Sequence, residues 1–380
     1  MSPGPRWVTL LAPSEIEAMP TTSDPRTQTA AEAKTVLEEP APAFSTQQAE
    51  AIAHRAFGIE ASAQPLGSER DQNFRLRATD GGEWVLKIAN PAENPAILDM
   101  QTQALLHIAE VDPSLGIPRV KATPDGALFH EIDGKDGRRF IVRVLSFLAG
   151  ELLEDATLDP ALGRDVGAMA ARLALALRAF SHPSSRHELL WDLSQAPGLR
   201  ARTHHIESPG QRRVIEEVLD HFAAEVLPQL QKQRAQVIHN DVSGMNTLVD
   251  GQRVTGVIDF GDLIYAPMVC DLAVPIAELM IEQPDPIAIA AEITAGYHAI
   301  TPLEDDELRL IFDLVATRCA MYVAVANWRV CDHPENTAYI MSGVQATGAM
   351  LDQMREWGAG RMVEGLRRAC STPVAGGTLV

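Results

Sequence analysis

The sequence predicts an α+β chain in two parts, a small mainly β part followed by a larger mainly α part. Three observations carry this. β-prone runs separated by turn signals dominate as far as residue 147, and apolar residues at spacings of three and four recur beyond residue 160. The third is size: 380 residues with 46% hydrophobic content can bury a core large enough for one two-lobed unit or two domains. The expected divisions are a disordered leader over 1–43, a first lobe over 44–147, a second lobe over 148–365 and a flexible tail over 366–380.

The leader is rich in Pro, Thr, Ser, Ala and Glu and has no apolar periodicity. Order begins at Phe44-Ser45, with Ser45 placed to cap a helix that runs to Phe57 and stops at Gly58. Residues 73–77 and 83–88 flank Asp80-Gly81-Gly82, a hairpin signal. Alternation puts Trp84, Leu86 and Ile88 on one face and Val85 and Lys87 on the other. Lys87 thus lies in an otherwise apolar strand, either as a phosphate-binding ammonium or as an edge-strand or solvent-face lysine. Ahead of this hairpin the loop 66–73 holds a single glycine. Backbone N–H groups near Gly67 and Ser68 could cover phosphates, with the Ser68 hydroxyl as a further donor; an ordinary turn is the other reading.

NPAILDMQTQALLHIAEV follows as a helix, and Phe140–Leu145 reads as a strand leaving through Ser146-Phe147-Leu148-Ala149-Gly150. In the second lobe Leu162, Val166, Met169, Leu173, Leu177 and Phe180 form a core-facing stripe. Val214, Val218, Phe222 and Val226 repeat it, joined by Ile215, Leu219 and Leu227, with Pro228 near the close.

The chemistry concentrates in VIHNDVSGMNTLVDGQRVTGVIDFGD, residues 237–262. Phosphoryl transfer needs a carboxylate facing an acceptor hydroxyl and oxygen ligands that hold Mg²⁺ against phosphates. The spacing H-x-D-x-x-x-x-N supplies the first at Asp241 and a metal ligand at Asn246, and Asp259 follows inside IDFGD. The β-prone runs 246–249 and 254–258 are separated by Asp250-Gly251-Gln252-Arg253. A hairpin centred on Gln252-Arg253 brings Asn246 and Asp259 side by side at its open end. The bland alternative is a surface hairpin with polar ends.

HNDVSGMN followed by IDFGD resembles the catalytic and metal loops of the aminoglycoside phosphotransferase superfamily, small-molecule relatives of protein kinases. The resemblance spans roughly residues 45–350. NPAILDMQ, IDFGDLIYAP and RCAMYVAVANWRVCDHPENTAYI are most similar to the hydroxylysine kinase branch. It implies a protein-kinase-like two-lobed fold, with Asp241 as catalytic carboxylate, Asn246 and Asp259 as Mg²⁺ ligands and His239 orienting the loop. It implies further that Lys87, Gly67 and Ser68 meet the nucleotide, that the hinge at Ser146 and Leu148 receives the base of ATP or GTP, and that Asp271 supports the catalytic loop from behind; a plain helix cap is the alternative there. Asn240 replaces a common Gly, and Asn tolerates left-handed backbone. Kinases usually hold the strand lysine with a helix Glu; here Gln101, Asp99 and Glu93 are all candidates.

The acceptor implied is a small amine-bearing molecule with a hydroxyl, 5-hydroxylysine first, with an aminoglycoside, homoserine or another amino alcohol as alternatives. Asp262 lies beside the metal loop and faces either cation or solvent. Tyr265, Trp191, Asp192, Arg318, Trp328, Asn336 and Tyr339 are further candidates for contact, Arg318 as the cation for an acceptor carboxylate. A catalytically silent kinase-like binding protein is the reading from a different class; the presence of Lys87, Asp241, Asn246 and Asp259 counts against it.

Thirty-two basic against 51 acidic residues give a net charge of −19, which argues against nucleic acid as a partner and is compatible with a cationic small substrate. Cys270, Cys319, Cys331 and Cys370 match no zinc spacing or disulfide framework, so reduced, mostly buried thiols are expected. No apolar run reaches the about 18 residues of a membrane span, and the apolar run of the start MSPGPRWVTLLAP is too short for a signal core. A cytoplasmic protein without a membrane partner is expected; the sequence leaves the oligomeric state open.

Overall fold

The computed structural model describes residues 41–371, apart from 69, 135, 136, 333, 335 and 336. The leader expected over 1–43 lies outside the described residues except at its inner end, as does Asn336. At the other end the last helix runs to Ser371 and buries Leu366, the first residue past the division expected at 365.

Helix α1 (Thr46–Phe57) opens on a reciprocal cap: Ser45 accepts from the Gln48 backbone, and the Gln48 side chain accepts from the Ser45 N–H. It closes on Gly58 at φ 66°. Strands β1 (Ala61–Leu66), β2 (Gln72–Ala78), β3 (Glu83–Ile88), β4 (Val120–Lys121), β5 (His130–Asp133) and β6 (Arg139–Ser146) form one sheet. Its order is β1-β2-β3-β6-β4, with β5 also paired to β6. Phe74, Leu76, Leu86, Ile88, Phe140, Val142 and Val144 face α1 and make the core of the first lobe. Helix α2 (Pro95–Val111) packs differently: its Met100, Ala104, Leu105 and Ile108 join the hydrophobic core of the second lobe. The two lobes therefore share apolar contact as well as a chain connection.

The second lobe contains α3 (Pro160–Leu177), α4 (Pro209–His221), α5 (Met268–Leu279), α6 (Pro286–Ile300), α7 (Asp305–Asp332) and α8 (Val344–Ser371). The stripe expected on α3 is buried from Leu162 to Leu177; Phe180 lies beyond the helix end and is half-buried. After α4 the chain makes a wide π turn over Phe222–Val226, just ahead of Pro228, whose ring cannot donate the next helical hydrogen bond. The buried face there is Ile215, Leu219, Phe222, Val226 and Leu230, while Val214 and Val218 are half-buried at its margin.

Two short sheets carry the loops of interest, β7 (Glu151–Leu152), β9 (Thr247–Asp250) and β10 (Arg253–Val257) in one and β8 (Ala235–Ile238) with β11 (Ile264–Pro267) in the other. This is a protein-kinase-like α+β architecture, with a sheet-based first lobe and a helical second lobe. No helix among the described residues is long and apolar enough to cross a membrane. All four cysteines are free thiols; Cys270 and Cys319 are buried, Cys370 is intermediate and Cys331 is exposed.

Helices α3 and α6 cross at two glycines. A Cβ at Gly167 would lie 1.8 Å from the Ile293 carbonyl oxygen, and one at Gly296 would lie 1.9 Å from that of Arg164. Backbone sits on backbone there, so no side chain can yield. Gly167→Ala is expected to destabilise the protein by about 2 kcal/mol or more. Gly163→Ala, whose nearest neighbour would be at 3.6 Å, is expected to be tolerated, both read by denaturant unfolding.

Candidate active site

Residues 239–246 form a loop between β8 and β9, and its backbone is held from several sides. Asn240 adopts φ 64°, the left-handed geometry expected of it. Its N–H donates to Asp271 Oδ1 at 2.7 Å. His239 is fully buried, with its ring edge against Phe260, and its Nδ1 accepts from the Asp241 N–H at 3.2 Å. Burial pushes the imidazole pKa down to about 4, which keeps that acceptor neutral. Four residues on, the Gly244 N–H donates to both oxygens of Glu278, at 3.1 and 3.2 Å, and the Gly244 carbonyl accepts from the Glu154 N–H at 3.2 Å. A Cβ on residue 244 would sit 2.9 Å from Glu278 Oε1, so glycine is needed for this close approach.

Asp241 projects from the loop between these anchors. Asn246 Nδ2 donates to its Oδ2 at 2.5 Å and to its carbonyl at 3.2 Å. The amide nitrogen therefore faces Asp241, which leaves Asn246 Oδ1 as a free acceptor. Burial pushes the Asp241 pKa up to about 7, and Asp262 adds to the shift while Arg318 opposes it. Asp271 is raised to about 6 by burial against its two backbone donors, Asn240 and His239.

The hairpin after the loop differs by register from the expectation. Asp250 pairs with Arg253, so the turn is Gly251-Gln252 with Gly251 at φ 58°. A bulge between Val254 and Gly256 then shifts the pairing by one, and Ile258 N–H bonds to the Asn246 carbonyl at 2.8 Å. Asn246 thus lies opposite Ile258, one residue before Asp259. Asp259 takes φ 56°; its Oδ1 accepts from the Gly261 N–H at 3.0 Å and lies 3.7 Å from Lys87 Nζ. Lys87, opposed by burial and supported by Arg70, holds this carboxyl down at about 2.

The donor set suits Mg²⁺: a permanently ionised carboxylate and an amide oxygen are hard ligands. Among the described residues no group of three or more His, Cys, Asp or Glu side chains could hold a metal ion unaided. A cation at Asn246 and Asp259 would complete its shell with phosphate and water oxygens, as Mg²⁺ does.

On the first-lobe side Lys87 is paired across β3 and β6 with Arg143, a cation buried to 3% exposure that donates to the Leu98 carbonyl at 3.4 Å. Among the described residues none of the three candidates for a lysine partner pairs with Lys87. Asp99 meets His182 of the second lobe at 3.2 Å, Gln101 donates to the Gly261 carbonyl at 3.4 Å, and Glu93 lies in the field of Arg70 and Arg143. Lys87 reaches Asp259 instead. Gly67 and Ser68 are exposed at the end of β1. Ser146 Oγ accepts from the Arg119 N–H at 2.8 Å, so that side chain is engaged in joining β6 to the chain before β4, and Leu148 lies against Gly256.

On the second-lobe side Arg318 is fixed beside the 239–246 loop. It donates to the Trp191 carbonyl at 3.1 Å, lies 4.6 Å from the Trp191 ring centroid and approaches Asp241 Oδ1 to 3.8 Å. Trp191 also accepts from Asn240 Nδ2 at 3.4 Å, which ties both to the loop. Asp262 pairs with Arg70 at 2.9 Å, and Tyr265 carries Arg186 on its ring at 3.6 Å. Asp192 caps the following 3₁₀ segment through Ser194. Trp328 is stacked by Arg202 at 3.7 Å and stands ten residues along α7 from Arg318, about 15 Å. The structure does not bring it to Asp241. Tyr339 is exposed.

The model of the APH phosphotransferase enzyme family matches residues 62–310, which includes every element just described from β2 to α6. The chain belongs to that family. It is therefore a phosphotransferase with an alcohol group as acceptor. It is 31% identical over 321 residues to the hydroxylysine kinase of Danio rerio, covering 80% of this chain and 89% of that one. Among solved structures it is similar to a microcompartment-associated aminopropanol kinase, with a TM-score of 0.68 at 17% identity, covering 84% of this chain and all of that one. It is also similar to an amicoumacin kinase in complex with AMP-PNP and Ca²⁺, with a TM-score of 0.62 at 15% identity, covering 79% and 93%.

Three residues that contact this candidate site were not found from sequence: Glu278, Arg143 and Arg70. Glu278 had a signal, since it follows Asp271 by seven residues, two helical turns, and so shares its face. Arg143 had one too, as a charge inside the apolar strand 139–146. Arg70 had none beyond its loop.

The buried Asp241 carboxylate carries a stability prediction. Its folded pKa lies above the ordinary carboxylate value, so ionisation penalises the folded state as pH rises through that window. Asp241→Asn is expected to raise the unfolding midpoint of the nucleotide-free protein above pH 7, and the difference is expected to vanish below about pH 4, where both states carry a neutral Asp. Thermal scans across pH 4–8 without divalent cations check it.

Proposed function

We propose that the chain transfers the terminal phosphoryl group of ATP or GTP to the hydroxyl of a small amine-bearing metabolite, with 5-hydroxylysine as the acceptor. The observation that supports this best is the Asp241 and Asn246 pair, held in a backbone-clamped loop beside Asp259 and Lys87. Similarity to hydroxylysine kinase over four-fifths of the chain supports the acceptor.

In this reading the acceptor hydroxyl donates to Asp241, which fixes the attacking oxygen and takes its proton as the new bond to the terminal phosphorus forms. The bond from that phosphorus to the bridging oxygen breaks, leaving the nucleoside diphosphate. Mg²⁺ at Asn246 and Asp259 would neutralise charge on the phosphates. Lys87 would hold the α and β phosphates from the first lobe. Neutral His239 and the Asp271 carboxylate keep the loop in place throughout.

Arg318 favours an amino acid over a simple amino alcohol. Its guanidinium is oriented by the Trp191 carbonyl and ring and stands within 3.8 Å of the catalytic carboxylate. An acceptor carboxylate bound there would bring the rest of the molecule beside Asp241.

The test is Mg²⁺-dependent formation of ADP or GDP with 5-hydroxylysine, homoserine, choline, ethanolamine and aminoglycosides in parallel. Turnover with 5-hydroxylysine that is lost in Asp241→Asn is the expected outcome; turnover restricted to another amine keeps the chemistry and removes the acceptor. Arg318→Ala is expected to raise the KM for 5-hydroxylysine about 10- to 100-fold with little change in the KM for the nucleotide, the size of one lost charge-assisted contact. An unchanged acceptor KM would take the carboxylate away from Arg318.

A further inference from the structure

Arg70 stands where the loop between β1 and β2 rejoins the sheet. Its backbone is fixed: the Arg70 carbonyl accepts from Asn90 Nδ2 at 3.3 Å, and the neighbouring Asp71 carboxylate accepts from the Asn90 N–H at 3.1 Å. Asn90 lies just past the end of β3, so Arg70 and Lys87 leave the same end of the first lobe. Both reach across to one segment of the second. Lys87 meets Asp259, and Arg70 meets Asp262 at 2.9 Å with its guanidinium passing 3.5 Å from the Cβ position of Gly261. Glu93 and Asp259 add their negative charge at the same guanidinium.

The two ends of the Arg70–Asp262 pair differ in freedom. Asp262 is 8% exposed and set in the loop, whereas the Arg70 side chain is 31% exposed and follows the exposed Gly67 and Ser68. Arg143, the other arginine nearby, is buried and committed to the Leu98 carbonyl. It is a fixed background charge. Arg70 can change partner.

A metal and a nucleoside polyphosphate supply what such a change needs. The cation takes over the carboxylates, and the phosphates take over the cations that had neutralised them. Asp262 follows the metal-loop carboxylate Asp259 by three residues and acts on Asp241 as the strongest neighbouring charge. A guanidinium resting there is beside the segment that Lys87 also reaches, and its planar fork matches two phosphate oxygens.

We propose that Arg70 is a further phosphate-binding residue, held on Asp262 when no nucleotide is bound and moving to the terminal phosphate of the donor when one is. This rests on the kinase reading above. Lys87 then serves the inner phosphates and Arg70 the outer one, both from the first lobe.

The experiment is calorimetric binding, with Mg²⁺, of ADP, GDP and their non-hydrolysable triphosphate analogues AMP-PNP and GMP-PNP to wild type, Arg70→Ala, Arg70→Lys and Asp262→Asn. Arg70→Ala is expected to weaken the preferred triphosphate analogue about 10-fold or more and the matching diphosphate less than about 3-fold. Arg70→Lys keeps the charge and loses the fork; it is expected to show the same selectivity at reduced size, and it carries the test if the alanine variant does not fold. Asp262→Asn is expected to leave triphosphate binding undiminished. Equal weakening of di- and triphosphate by Arg70→Ala and Asp262→Asn would make the pair a mere strut between lobes and overturn the proposal. Failure of wild type to bind any of the four nucleotides would instead overturn the kinase reading on which it rests.

Discussion

Two carboxylates on one buried helix set the geometry on which the site depends. Asp271 and Glu278 lie two turns apart on α5 and so present to the same side, where each accepts a backbone N–H from an opposite part of the catalytic loop. Asn240 is held at one end and Gly244 at the other, with Asp241 between them. Burying carboxylates costs free energy unless donors meet them. Burial raises the pKa of both despite those bonds. The cost is borne by packing: Leu272, Ala273, Ile276 and Ala277 of the same helix are buried in the core of the second lobe. Apolar burial thus fixes a polar loop, and the loop fixes the Asp241 carboxylate.

Much of the fold was legible because its signals are local. Ser45 and Gly58 bound α1 as their chemistry requires, and the turn at Asp80-Gly81-Gly82 joins β2 to β3. The catalytic loop was legible for the same reason, since Asp241 and Asn246 are five residues apart and bond directly. What failed was non-local or depended on a single residue of register. A bulge between Val254 and Gly256 moves Asn246 opposite Ile258, and β-propensity carries no trace of it. The search for a lysine partner on α2 failed because Asp99 and Gln101 are claimed by the second lobe, through His182 and the Gly261 carbonyl. Trp328 shared a helix with Arg318, but helical rise carries it away from the loop. On α4 the stripe was legible at Ile215 and Leu219, which are buried, while Val214 and Val218 stand at its margin.

The charge arrangement gives the proposed metal a basis beyond ligand chemistry. Lys87, Arg70, Arg143 and Arg318 meet Asp259, Asp262, Glu93 and Asp241 in a small volume, and the recorded pairs leave it near balance. A nucleotide alone would add about four negative charges to a site already rich in carboxylates, within distances that solvent and salt screen weakly. Under the proposed exchange a divalent cation arriving with it would change the sum: the carboxylates would gain a partner as they lost Lys87 and Arg70 to phosphate. The net charge of −19 over the whole chain acts at longer range and is screened beyond about 8 Å at physiological ionic strength. On the proposed exchange an acidic protein would hold a polyanion because the cations of the first lobe would be released as the metal took their place.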